Sequence, residues 1–185
     1  MSARRLRAGA PHSHAPDPDH ATTIGVYTMR LAGERWVSSG LPGYGFIEKQ
    51  VRPLKTPERV VAVSVAESGS VYEAGRKFDL NVRDVEAPFW DLTRFRFLEG
   101  APFSAEDDRA ARQVAVINAA TRMRLYGAGP AVGRELEYEG RTFRVVGVVA
   151  DVSAIQMTTF SDVWFPMGAR AASGYRDEIR GGHIA

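Results

Sequence analysis

Histidine is the side chain best suited to moving protons near neutral pH, and this sequence has four. His12, His14 and His20 lie among prolines, alanines and aspartates near the start, and His183 lies near the end. A nucleophilic triad needs its imidazole held by a rigid shell, which these positions do not promise. Cysteine is absent, so thiol catalysis, thiolate metal sites and disulfides are excluded. His12, His14 and His20 with Asp17 and Asp19 are metal-ligand types. They stand on a segment that would have to order itself around the ion, so a flexible polar leader is the reading and no metal is expected. Glu106-Asp107-Asp108 lacks the alternating spacing of a calcium loop and reads as an acidic helix start.

Other motifs also resolve to structure. Gly127 to Gly133 is glycine-rich like a phosphate loop, but it follows a helix and precedes a strand, the reverse of such loops, so it reads as a turn. Arg94-Phe95-Arg96-Phe97 alternates basic and aromatic residues, and the expectation is an amphipathic strand with the rings inward rather than a nucleic-acid platform. Phe89-Trp90 is expected in the core rather than as an exposed anchor. An enzyme would have to rely on carboxylates such as Asp84, Glu135 and Asp151. No catalytic, cofactor-binding or metal-binding residue is assigned, no cofactor is expected, and partner-binding residues are not identifiable.

The 185 residues suffice for one domain or two small lobes, with 44% hydrophobic and 25% charged residues, as in soluble globular chains. A net charge of +2 is too small to argue for nucleic acid. Lysine occurs only at Lys49, Lys55 and Lys77, the remaining basic residues being arginine. No apolar run approaches the ~18 residues of a membrane-spanning helix. Met1 to His20 has Arg4, Arg5 and Arg7 without an apolar stretch after them, unlike a secretory signal.

Residues 1–22 are expected to be a disordered tail. Strands are expected over Ile24–Leu31, Arg59–Val65 (broken by Ser68-Gly69-Ser70), Phe78–Val85, Arg94–Leu98, Gln113–Ile117 and Asp162–Pro166. Glu135–Glu139 and Arg141–Val149 should form a hairpin about Gly140, and Gly33–Val37 a turn into a further extended piece. Helical pieces are expected at Pro42–Arg52, with Tyr44, Ile47 and Val51 on one face, and at Ala87–Leu92. Two more should start at Ser104, paired with Asp107, and at Asn118, ending at Gly127. The fold class is α+β.

In order, these landmarks resemble the MacB-like periplasmic core domain of ABC transporter permeases of the MacB/FtsX type. The resemblance is carried by Phe89-Trp90, Phe95 to Gly100, Phe103-Ser104 with Asp107, Val114-Ala-Val-Ile117 and Leu125-Tyr126-Gly127. It continues through Val132-Gly133, Phe143 to Asp151 and Val163-Trp-Phe-Pro166. It departs at Ala101, where the family usually has arginine.

The resemblance implies a two-lobed ectodomain. A membrane-proximal α+β lobe would take residues 23–84 and 145–185, incomplete at its C-terminus, and an inserted β-rich distal lobe residues 85–144. It further implies a non-catalytic domain on the periplasmic side of the inner membrane that couples ATP-driven movement of membrane helices to export or partner docking. The implied partners are an ABC ATPase reached through membrane helices outside this sequence, a periplasmic adaptor or substrate protein, and a second copy in a homodimer or pseudo-dimer. The alternative is a periplasmic or secreted interaction module not coupled to transport.

Overall fold

The computed structural model describes residues 29–32, 37–40, 43–152 and 159–169, which fall into two compact units, Met1–Val60 with Ala172–Ala185, and Val61–Ala171. The expected tail at 1–22 and the four histidines lie outside the described residues.

In the first unit, β1 (Met29–Ala32) and β2 (Val37–Gly40) pair antiparallel. The expected helix near Pro42 is present, but it widens. A single turn, α1 (Tyr44–Phe46), passes into a π-helical turn at Ile47–Val51, where the Arg52 amide reaches back to the Ile47 carbonyl at 2.9 Å. Glu48 and Arg52 pair across it at 2.6 Å, and Pro53, which lacks an amide hydrogen, follows.

The second unit is built on one sheet. Its strands are β3 (Glu67–Glu73), β4 (Arg76–Val85), β5 (Phe97–Gly100), β6 (Val114–Asn118), β7 (Glu135–Tyr138), β8 (Arg141–Val149) and β9 (Val163–Pro166). The ladders run β8-β6-β9-β4-β3-β7, and β7 pairs again with β8, so six strands close into a ring. One edge of β8 makes this possible. Its first four residues pair with β7, while Gly147 to Val149 pair with β5. Closure removes the free edges that an open sheet would present.

Alternation of side chains sends β4, β6, β8 and β9 to two cores. Val71, Leu80, Val82, Ala115, Ile117, Val145, Val148, Val163 and Phe165 belong to the larger cluster, with Leu136, Tyr138 and Phe143. Their neighbours Val85, Val114, Val116, Val149 and Trp164 belong to a second cluster, with Phe89, Trp90 and Phe103. Every residue of β6 and β9 is therefore buried, as their continuous apolar runs require. Among the described residues the α-helical pieces are α1 and, in this unit, α2 (Phe89–Thr93), α3 (Ala105–Arg109) and α4 (Ala119–Tyr126). The α+β class stands.

Several boundaries differ from expectation. Ser68-Gly69-Ser70 does not break a strand but lies inside β3, with Gly69 opposite Leu80. Glycine is needed there for space, because a Cβ at Gly69 would lie 2.4 Å from the Tyr138 ring. Gly69→Ala is expected to cost about 1–3 kcal/mol by overpacking, read as a lowered midpoint in urea. The apolar run Arg59–Val65 forms only a single bridge, Val63 to Val85, because β4 ends at Val85 and its earlier residues on that edge pair with β3. Arg94 does not enter a strand. It caps α2 in the left-handed region (φ 50°), which delays β5 to Phe97.

The expected lobe limits at 84/85 and 144/145 cut through this sheet. β8 and β9, assigned mainly or wholly to one lobe, are hydrogen-bonded to β5, β6 and β7, assigned to the other. Compactness changes instead at 60/61 and 171/172.

Candidate functional site

The aromatic landmarks form one cluster in the second unit. Trp90 is its hub, meeting Phe89 at 5.2 Å, Phe103 at 5.3 Å, Phe97 at 5.5 Å, and Phe95 and Trp164 at 6.0 Å, all edge to face. That geometry sets ring edges against the negative faces of their neighbours. Phe89 and Trp90 are buried, as expected, and the Arg94–Leu98 stretch alternates with Phe95 and Phe97 turned inward and both arginines exposed.

The carboxylates are used as fasteners. Asp162 accepts hydrogen bonds from the Asn81 amide (2.8 Å) and from the Asn118 side chain (3.2 Å), joining β4, β6 and β9. Asn118 caps α4 through the Thr121 amide at 2.7 Å, and Asp151 accepts from Ala120 in the same turn. Glu99 is held below its ordinary range first by the Ala131 amide, with Arg122 adding to this at 3.0 Å. The Gly127–Gly133 segment that follows α4 is a turn leading to β7.

Ser104 and Asp107 make the expected capping box. The Asp107 carboxylate accepts from the Ser104 amide at 2.7 Å, and the Ser104 hydroxyl accepts from the Asp107 amide. The Ser104 amide is the main cause of the lowered Asp107 pKa, with Arg112 adding to it. A depressed carboxyl stabilises the fold above its ordinary value of 3.8 and loses that contribution as pH falls through the folded value. Asp107→Ala is expected to cost about 1 kcal/mol at neutral pH. In melts at stepped pH, its gap to the unaltered protein should narrow below the ordinary carboxyl value.

Glu86 was not singled out from sequence, and Asp108 only as part of the acidic start of α3. The Glu86 carboxylate, 6% exposed, accepts from the Ala62 amide at 2.8 Å. Asp108 accepts from the Gly168 amide at 2.7 Å and from the Ala87 amide. Burial pushes Asp108 up, and the neighbouring Glu86 charge acts in the same direction. A near-complete burial of Glu86 is not readable from a local pattern.

Asp84, Glu135 and Asp151 stand on three different elements: the end of β4, the start of β7 and the exit of β8. Among the described residues no three His, Asp or Glu side chains gather as a metal site would require. An open groove of about 400 Å³ is lined by Arg112, Gln113, Val114, Glu135, Thr142 and Arg144. Its lining carries both signs of charge, from Arg112, Arg144 and Glu135.

The profile of the MacB-like periplasmic core domain matches residues 10–184, nearly the whole sequence. The chain belongs to that family. Among curated relatives, it is 30% identical over 104 residues to the uncharacterized ABC transporter permease YvrN of Bacillus subtilis, covering 55% of this chain and 25% of that protein. It is 26% identical over 134 residues to the macrolide export ATP-binding/permease protein MacB of Chromobacterium violaceum, covering 72% of this chain and 19% of that one. The chain thus spans about a quarter or less of the curated relatives it matches.

Solved structures share the fold at lower identity. The extracellular domain of the noncanonic ABC-type transporter YknZ from Gram-positive bacteria aligns with TM-score 0.61 at 14% identity, over 77% of this chain and 72% of that one. The periplasmic region of MacB from Actinobacillus actinomycetemcomitans aligns with TM-score 0.52 at 18% identity, over 69% and 63%. A domain of a putative permease from Porphyromonas gingivalis gives 0.55 at 15%, over 75% and 64%. In this MacB-like domain, the landmarks that carried the resemblance are the closed sheet and its aromatic cluster. No helix among the described residues is long and apolar enough to cross a membrane.

Proposed function

We propose that this MacB-like domain is the extracytoplasmic, non-catalytic part of an ABC transporter permease. It couples ATP-driven movement of the membrane helices to substrate export or to docking of a partner. The family match over residues 10–184 carries this reading. The packing supports it. Both faces of β6 and β9 are filled with apolar side chains, and the carboxylates described above tie strands and helices together, as a scaffold that bears load requires.

The two-lobed arrangement belongs to the same proposal. The partners are an ABC ATPase, a second copy of the permease, and an adaptor or substrate protein outside the cytoplasm.

The test removes the domain from the full transporter reconstituted with its ATPase in vesicles. ATP-dependent export should be lost while ATP hydrolysis continues. Export at the original rate without the domain would support instead an interaction module uncoupled from transport.

A further inference from the structure

The closed-sheet unit, Val61–Ala171, has only two covalent links to the rest of the chain, one before Val61 and one after Ala171. Any force passed along the backbone into the unit enters by these two segments. Both are fastened to the same place.

The entering segment lies along one edge of the end of β4. Val63 bridges Val85, the Ser64 amide donates to the Asp84 carbonyl at 2.8 Å, and the Glu86 amide donates to the Ala62 carbonyl at 3.1 Å. The leaving segment lies along the other edge. β9 runs parallel to β4 with Pro166 opposite Val85, and the Met167 amide donates to the Val85 carbonyl at 3.0 Å. Strand spacing puts entry and exit about 10 Å apart across one strand.

Each segment also carries a carboxylate lock. Glu86 holds the Ala62 amide on the entry side. Asp108, at the end of α3, holds the Gly168 amide on the exit side and the Ala87 amide beside Glu86. Space is tight at the exit, since a Cβ on Gly168 would lie 2.1 Å from the Asp108 carbonyl oxygen. Charged acceptors on backbone amides make stronger bonds than neutral ones, so these two side chains stiffen the points where the chain crosses.

We propose that the C-terminal end of β4, locked by Glu86 and Asp108 to the entering and leaving segments, is the joint through which displacement of the flanking chain reaches the closed sheet. Glu86 and Asp108 are its positioning residues. The transport role of the joint rests on the function proposed above; its mechanical part does not.

The test has two arms. In the chain by itself, hydrogen exchange is followed at the Ala62 and Gly168 amides. Glu86→Ala should speed exchange at Ala62, and Asp108→Ala at Gly168, by about tenfold or more. Amides of Ile117 and Val148 should keep their protection, and Glu86→Gln and Asp108→Asn, which retain an acceptor oxygen, should largely restore it. Unchanged exchange at Ala62 and Gly168 would remove the joint, and so would a uniform loss of protection across the sheet, which would make the two carboxylates ordinary core contacts.

In the full transporter, both alanine variants should reduce ATP-dependent export severalfold with ATP hydrolysis unaltered. Export at the unaltered rate, beside the expected exchange result, would overturn the transport role while leaving the mechanical one. Because the first arm needs no transporter, its outcome is independent of whether the chain serves one.

Discussion

Val148→Asp is expected to leave no cooperatively folded second unit. Val148 is 0% exposed, lies mid-strand in β8 and is flanked in register by Ile117 on one side and Glu99 on the other. A carboxylate there either stays ionised without water or takes up a proton without a partner, and each course costs several kcal/mol. The existing Glu99 charge opposite makes ionisation costlier still. Against a total stability of about 5–15 kcal/mol, that is enough to unfold the unit. Thermal melts by circular dichroism check it, with Val148→Ala as the control that should still melt cooperatively. A native-like melt for Val148→Asp would show that β8 is not a buried strand.

Trp164→Ala should be the next most damaging change among those described. Trp164 is 0% exposed on β9 and packs edge to face against Trp90 and against Phe95 at 5.6 Å. Large aromatic truncations in a core cost about 3–5 kcal/mol, through lost transfer energy and the cavity left behind, and for a chain of this size that lowers the melting point by roughly 10 °C. Its indole nitrogen has no hydrogen-bond partner among the described residues. Trp164→Phe therefore forfeits packing volume but no hydrogen bond and should recover most of the loss. Equal damage from the alanine and phenylalanine variants would mean that the nitrogen matters after all.

Much of this architecture is legible locally. The β-branched runs at 114–118 and 141–149, the capping pair Ser104 and Asp107, and Asn118 before α4 are patterns complete within a few residues, and the structure places them as the pattern dictates. The hairpin about Gly140 is equally local: Glu139 and Gly140 both have positive φ, as a two-residue turn between twisted strands demands. Its counterpart between β3 and β4 uses Ala74 and Gly75 in the same conformation. Alanine gives no turn signal, and Ser68-Gly69-Ser70 gives a false one, so β3 is hidden.

What the local patterns do not contain is pairing between distant segments. Ring closure depends on β7 meeting both β3 and β8, and the fate of the 59–65 run depends on where β4 ends. The same limitation hides that β3 to β9 share one sheet, since a strand looks the same whichever sheet it joins. The roles of Glu86 and Asp108 are hidden for a related reason: their partners, Ala62 and Gly168, are 24 and 60 residues away.

The ring also sets a schedule for how the molecule comes into being. The Asn81 amide waits for Asp162, 81 residues later, before the parallel pairing of β4 with β9 can form. At synthesis rates of about 5–20 residues per second, this leaves the β3–β4 hairpin with an unsatisfied flank for roughly 4–16 s. Pairings of such long range slow the search for the native topology into the millisecond-to-second range. During that interval the hairpin is sticky toward other nascent chains, so yield in cells should respond to holding factors and growth temperature more than the stability of the finished domain would suggest.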